Sequence, residues 1–318
     1  MTIEPTFRDQ LVDAGILIPT GVDGVWGRNA VFEAICSGLD HAITQAGLDD
    51  SPELMRFPPA MSQDMFEKSG YMKSFPHFAG TIHSFDGDDR GHYKLLGQIE
   101  RGEAWMEQQA PAGLVLTPAA CYSVYPILAR RGPLANVGAL IDVCCWCFRH
   151  EPSLEPTRFQ FFRMREYVRI GTPEQVMAFR EDWITRGKTF ASSLGLPFEV
   201  DIANDPFFGR GGKLMADSQR AQSLKFELLV PVNDGAGPTA CLSFNYHMTH
   251  FGDTWDLRTA DGEVAHTACC GFGIERLALA LLRHHGFDLD RWSADVRATL
   301  GFGALANNGI GSVGIVET

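Results

Sequence analysis

No apolar stretch in this sequence approaches the roughly 20 residues that a helix needs to cross a bilayer, so no membrane span is expected. The first 20 residues already hold Glu4, Arg8, Asp9 and Asp13 and cannot be the apolar core of a signal peptide. Positive charge is scarce: 27 Lys and Arg stand against 39 Asp and Glu, a net charge of −12 over 318 residues. Nonspecific nucleic-acid binding rests on cations that neutralise phosphates, which makes this chain a poor candidate for it, local basic patches aside. Repeats, low-complexity tracts and Pro-rich linkers are missing too. No C-x-x-C knuckle is matched by a second, so no structural zinc finger is announced. The expectation is a cytosolic protein of one large domain or two small ones.

What is present is ample material for a core, with 45% hydrophobic residues and 21% charged. Val31, Ala34, Ile35, Leu39, Ala42 and Ile43 recur at helical spacing within 27–47, and Gly47 reads as a closing cap. Thr172-Pro173-Glu174-Gln175 announces a second helix: Thr caps, Pro suits the first helical position, and Gln completes a capping box. Residues 274–283, rich in Leu and Ala, form a third and buried helix. Strand candidates are 113–118, 141–149, 159–170, 224–230 and 239–247. They cluster without regular helical crossovers, which predicts an α+β fold, an antiparallel sheet with helices packed on it. The Gly-rich end, 301–318, is expected as a loose tail.

Eight cysteines occur, at 36, 121, 144, 145, 147, 241, 269 and 270. In a reducing compartment they are thiols, metal ligands or core filler rather than disulfides. Cys144, Cys145 and Cys147 lie in an apolar run and read as core. Cys121 and Cys269 stand far apart, and spacing alone does not make them a site. Strand parity says more. Side chains alternate faces along a strand, so Phe162, Met164, Glu166, Val168 and Ile170 share one face while Arg163, Arg165 and Arg169 share the other. Glu166 is thus a carboxylate on an apolar face. Left alone there it is too costly, so it needs a cationic partner, a metal or a raised pKa. Arg149 shares parity with Val143, Cys145 and Cys147, a second charge at the end of an apolar face. Together they point to a site on the face of a sheet.

At these residues the sequence resembles class II aminoacyl-tRNA synthetases. Phe148-Arg149-His150-Glu151, a loop, and Arg165-Glu166-Tyr167 resemble their motif 2. The stretch from His266 through Cys269-Cys270-Gly271-Phe272-Gly273 to Ile274-Glu275-Arg276 is similar to motif 3, a strand leading into a helix. Arg56-Phe57-Pro58-Pro59 with Ser69-Gly70-Tyr71 resembles motif 1, and Leu116-Thr117-Pro118-Ala119-Ala120-Cys121 the strand and loop that meet the amino acid in seryl-type enzymes. Within that class the chain is most similar to the archaeal type of seryl-tRNA synthetase, which holds zinc with Cys, Glu and Cys; Cys121, Glu166 and Cys269 take the matching positions. About 55 residues precede motif 1, with one clear short helix and no sustained heptads. A truncated core of this kind resembles the amino acid:[carrier protein] ligases. The expected division is 1–54 as an N-terminal helical segment, 55–300 as a synthetase-like catalytic domain, and 301–318 as the tail.

The resemblance implies an enzyme that activates glycine or alanine with ATP and Mg²⁺ as the aminoacyl-adenylate. The aminoacyl group then passes to the phosphopantetheine thiol of a carrier protein. Arg149 would contact the α-phosphate, Glu151 the adenine amino group, and Arg276 the γ-phosphate. Phe159 would stack on adenine, with Arg158 beside it. Ala240, Cys241, Leu242 and Ser243 lie on the nucleotide strand, where Ala240 stands in place of a metal-binding Glu. Zinc at Cys121, Glu166 and Cys269 keeps a fourth position open for the amino group, so Glu166 also belongs to the amino-acid site. The family's motif 1 interface implies a homodimer, and no tRNA or membrane partner is expected. Basic residues at Arg210, Lys213, Arg220 and Lys225, in and after a Gly209-Arg210-Gly211-Gly212 loop, face either solvent or an acidic carrier; His247 and His250 read as strand-end histidines. The alternatives are a free-standing seryl-type tRNA synthetase and a non-catalytic synthetase paralogue that binds or regulates.

Overall fold

The structure is a computed structural model that describes residues 4–302, except Ala236 and the side chain of Arg210. Apart from its first two residues, the Gly-rich end at 301–318 therefore lies outside the described residues. The strands in chain order are β1 (Leu17–Val22), β2 (Val25–Arg28), β3 (Glu53–Arg56), β4 (Ala60–Ser62), β5 (Thr81–Phe85) and β6 (Gln109–Leu116). They continue as β7 (Ala139–Phe148), β8 (Phe161–Gly171), β9 (Glu199–Ile202), β10 (Lys225–Val230), β11 (Thr239–Met248) and β12 (His266–Gly273). The principal sheet has seven strands in the order β3-β7-β8-β12-β11-β10-β9. β3 runs parallel to β7, and the other neighbours are antiparallel. β1 and β2 form a separate hairpin, and β4, β6 and β5 a small three-stranded sheet.

Register turns the parity reading into geometry. Val143 pairs with Glu166, Glu166 with Gly271, Gly271 with Ser243, and Ser243 with Glu227. Residues directly opposite across a ladder project to the same face, so these five form one row across one side of the sheet. The other side carries Tyr167, Cys270, Phe272, Phe244 and Leu228, all buried. Helices Ala30–Gly47, Pro173–Ser193 and Ile274–His285 cover it. Trp183 stacks on Tyr167 at 4.5 Å between ring centroids and meets Phe272 edge-on at 5.9 Å, a geometry favoured by the ring quadrupoles. Phe7, Leu11, Phe32 and Ile35 belong to this same core, and the border expected between residues 54 and 55 falls inside β3.

The helix starts follow from their caps. Asn29 accepts from the backbone N–H of Phe32 at 3.1 Å, and Thr172 and Gln175 form the reciprocal capping box at Pro173–Ser193. A buried ion pair then ties the first of these helices to the sheet. Arg165, only 1% exposed, donates to Asp142 at 3.0 and 2.5 Å, to Asp40 at 2.8 Å and to Thr44 at 2.8 Å. Arg56 of β3 also reaches Asp142, at 3.4 Å.

Two expectations need correction. Residues 209–212 are not a loop but the start of a helix, Gly209–Ala221; Phe207 and Phe208 pack that start against Phe75 and His77, Gly209 takes φ +78°, and a Cβ at Gly212 would lie 2.5 Å from the Phe207 carbonyl oxygen, so glycine serves the entry into the helix. Gly47 ends its helix without a left-handed cap, at φ −109°. Its real constraint is contact: a Cβ there would lie 2.3 Å from the ring and hydroxyl of Tyr167, whose hydroxyl donates to the Ile43 carbonyl at 3.0 Å. Gly47→Ala should therefore destabilise the fold by about 1–3 kcal/mol through overpacking. Urea unfolding measures the loss, which shrinks in a Tyr167→Leu background if Tyr167 is the clash.

Candidate active site

The sheet face opposite the helices opens into a cavity of about 240 Å³. Its floor comes from β8, β11 and β12, and its walls from residues around Tyr71–Phe78, the turn Ala120–Ser123, and Asp205-Pro206. Every site residue expected from the sequence lines it: Cys121, Arg149, Glu151, Arg158, Phe159, Glu166, Ala240, Cys241, Leu242, Ser243, Cys269 and Arg276. Cys241 and Leu242 also belong to the buried core on the helix side of the sheet. Leu242 sends its side chain against Gly187 of the Pro173–Ser193 helix, so strand alternation leaves only its main chain for a ligand.

At the deep end the ligand atoms of Cys121, Glu166 and Cys269 all lie within 4.8 Å of one another, and all three residues are buried. Glu166, 2% exposed, accepts the backbone N–H of Cys121 at 3.0 Å. Among the described residues it forms no ion pair. Asn245 donates to the Cys269 sulfur at 3.4 Å, and His247 Nε2 stands 3.8 Å from it. The Cys121 thiol is pushed well up by its hydrogen bond with Cys269, by burial and by the Glu166 charge. In Cys269 the bond with Cys121 pulls down, but burial and Glu166 outweigh it, and the thiol is raised as well. Two thiols and a carboxylate gathered in this way are a donor set suited to zinc, not magnesium.

The other end is cationic. Arg149 follows β7, donates to the Pro118 carbonyl at 3.2 Å, and lies over the Phe162 ring at 5.5 Å. Arg276, in the first turn of the Ile274–His285 helix, donates to the carbonyls of Thr157 and Ala240, each at 3.1 Å. Neither arginine has a carboxylate partner within 4.0 Å among the described residues. Burial pushes Arg276 below its ordinary value, and the charge of Arg149 adds to that. Two neighbouring cations held only by carbonyls make a place for a polyanion. Arg158, by contrast, is engaged with Glu151 at 2.8 Å and Glu155 at 3.3 Å. Four residues separate Glu166 from Phe162 on β8, about 13 Å at ~3.3 Å per residue, so the cluster and the arginines sit at opposite ends of one elongated site.

Several lining residues escaped the sequence reading. Phe162 shares the cavity face with Glu166, as its parity allowed. Asn245 pairs in register with Cys269 and was as legible as Ser243. His247 is no idle strand-end histidine: it lines the cavity, and burial pushes it down to about 4. Lys225 is not surface charge for a partner. It is buried between Asp205 at 2.5 Å and Glu227 at 3.0 Å.

This arrangement defines a catalytic domain of the class II aminoacyl-tRNA synthetase type. In the crystal structure of A. aeolicus tRNASec in complex with M. kandleri SerRS, a chain matches with a TM-score of 0.83 at 21% identity, over 98% of this chain and 62% of that one. Giardia lamblia prolyl-tRNA synthetase, in complex with prolyl-adenylate, matches at 0.64 and 14% identity, over 89% of this chain and 53% of that one. Among curated proteins, amino acid--[acyl-carrier-protein] ligase 1 of Bradyrhizobium diazoefficiens is 50% identical over 281 residues, 88% of this chain and 86% of the relative. The type-2 serine--tRNA ligase of Methanopyrus kandleri is 30% identical over 58% of this chain, which spans 37% of that ligase. No family model matches the chain. At 50% identity over most of both chains, the protein belongs to the amino acid--[acyl-carrier-protein] ligase family.

Proposed function

We propose that this protein activates glycine or alanine with ATP and passes the aminoacyl group to the phosphopantetheine thiol of a carrier protein. The observation that carries the reading is the pairing, in one cavity, of two arginines and a buried Cys-Glu-Cys cluster that form no ion pair among the described residues. Family membership supports the acceptor.

In this reading Cys121, Glu166 and Cys269 would hold zinc, which would supply a Lewis acid for the amino group of the substrate. The amino-acid carboxylate oxygen attacks the α-phosphorus of ATP, the bond to the β-phosphate oxygen breaks, and pyrophosphate leaves. Arg149 meets the α-phosphate and neutralises the growing charge, while Arg276 holds the γ-phosphate. Mg²⁺ arrives with the triphosphate. Phe159 stacks on adenine, and Glu151 accepts its amino group, with Arg158 steering that carboxylate. The carrier thiol then attacks the acyl carbonyl, losing its proton as AMP departs. Lys213 and Arg220, exposed on the Gly209–Ala221 helix, are placed to meet an acidic carrier. Among the described residues no helix is long and apolar enough to cross a membrane, and we place the enzyme in the cytoplasm.

Three measurements follow. Glycine- or alanine-dependent ATP–pyrophosphate exchange should be present in the wild type. It should fall by about 10²–10³-fold in Arg149→Ala and Arg276→Ala, the loss usual for one donor to a developing charge. ATP and amino acid should label a holo carrier with a hydroxylamine-labile adduct and leave apo carrier and tRNA unlabelled; robust tRNA charging would promote the seryl-type reading instead. Metal analysis should find one zinc per chain, lost together with exchange in Cys121→Ala.

A homodimer belongs to the same proposal. Tyr93, Leu96 and Ile99 of the Asp89–Glu100 helix are exposed, as are Trp105, Met106 and Leu114 on the turn and strand beside it. Exposed apolar side chains gathered on neighbouring elements support an interface there. Sedimentation should give a dimer that Leu96→Glu with Ile99→Glu converts to a monomer.

A further inference from the structure

The hairpin of β1 and β2 precedes the synthetase-like motifs in the chain, yet its tip sits in the nucleotide loop between Arg149 and Gln160. Gln160 donates its backbone N–H to the Gly24 carbonyl at 2.8 Å and its side-chain amide to the Asp23 carbonyl at 2.7 Å. The same residue closes the base of the loop, because the Arg149 N–H donates to the Gln160 carbonyl at 2.9 Å. Gly24 has φ +76° and fits between the two limbs. A Cβ there would lie 3.1 Å from the Arg158 carbonyl oxygen and 3.3 Å from that of Glu151. Both neighbours are backbone and cannot swing aside.

The other end of the hairpin reaches the ring expected under adenine. The Arg28 guanidinium lies 5.1 Å from the centre of Phe159 and donates to the Phe161 carbonyl at 3.1 Å. It also stands 3.8 Å from Glu275, which directly precedes Arg276 and is fixed by Arg163 at 2.7 and 2.8 Å. One short element thus touches the outgoing limb of the loop, the returning limb, the aromatic ring and the helix that carries the second arginine.

We propose that the Leu17–Arg28 hairpin is a positioning element of the nucleotide site, with Gly24, Gln160 and Arg28 holding the 149–160 loop in its ATP-binding shape. This rests on the reading of the cavity as an ATP site. The loop has no regular structure of its own, so ordering it costs conformational entropy. With the hairpin docked that cost is met on folding; without it, ATP binding must meet it.

The test is ATP affinity by calorimetry on the full chain, together with the KM for ATP and for the amino acid in exchange. Gly24→Val should weaken ATP binding by roughly tenfold, about the ordering cost of one residue, and raise the KM for ATP to match. Gln160→Leu and Arg28→Ala should weaken it several-fold, with partial recovery in Arg28→Lys. The KM for the amino acid and the zinc content should stay at wild-type values, which a general loss of structure would not allow. Unchanged ATP affinity in a folded Gly24→Val protein overturns the proposal, as does a parallel rise in both KM values. If Gly24→Val does not fold, Gln160→Leu decides between the same two outcomes. A wild type that binds ATP but shows no amino-acid-dependent exchange sinks the proposed function and leaves this inference to be read from affinity alone.

Discussion

A single carboxylate sets the terms for the rest of the cavity. Glu166 stands on the apolar face of a central strand, 2% exposed and without an ion pair among the described residues. Burying such a group unpaired costs several kcal/mol, so the surroundings must answer it. The turn after β6 brings the Cys121 N–H to one oxygen. Opposite in register stands Gly271, where a Cβ would crowd the Ser243 hydroxyl at 3.1 Å and reach ordinary contact with the Glu166 side chain at 3.7 Å. Cys269, two residues earlier on β12, projects to the same side and completes the cluster. The backbone N–H alone does not balance the charge, and two sulfurs and an oxygen gathered around it are a donor set that suits a divalent cation.

The arginine end obeys the opposite electrostatics. The charge of Arg149 adds to the cost of burying Arg276, and both are held by carbonyls, which fix direction without cancelling charge. The cavity carboxylates that could have neutralised them are engaged elsewhere: Glu151 with Arg158, Asp205 with Lys225, Glu275 with Arg163. That segregation keeps the cations available for a ligand.

How much of this was legible in the sequence depended on regularity. The α+β class, the long central strands and the Thr172 capping box could be read because period, caps and length agree there. Glu166 stood out because one charge broke an apolar alternation. The β1–β2 hairpin did not, since its strands are short, β1 is mostly exposed and β2 half-buried throughout, and neither has an alternating pattern. Lys225 looked like surface charge because its partner Asp205 lies 20 residues earlier in a segment without pattern. The Gly209–Ala221 helix was hidden by three glycines that argue locally for a loop. Gly47 misled in the other direction: the residue type was informative, but the reason was an aromatic ring 120 residues away, which no local rule supplies.

The division of labour between strands and loops explains why the two ends of the site are built so differently. The metal-type cluster draws two members, Glu166 and Cys269, from adjacent strands, β8 and β12, whose register fixes their relative position, and only the third from a turn. Such precision suits a site in which a small error in ligand placement is costly. The proposed nucleotide contacts come instead from a loop and a helix start, which need outside support to hold their shape. That support comes from Arg163, Glu275 and Arg28, a chain of charges running behind the sheet edge, and from the hairpin tip. Strand register fixes where the amino acid would sit; the segment before the synthetase-like motifs decides how firmly the nucleotide loop is held. A chain with the same motifs and a different N-terminal segment would keep the first property and have to rebuild the second.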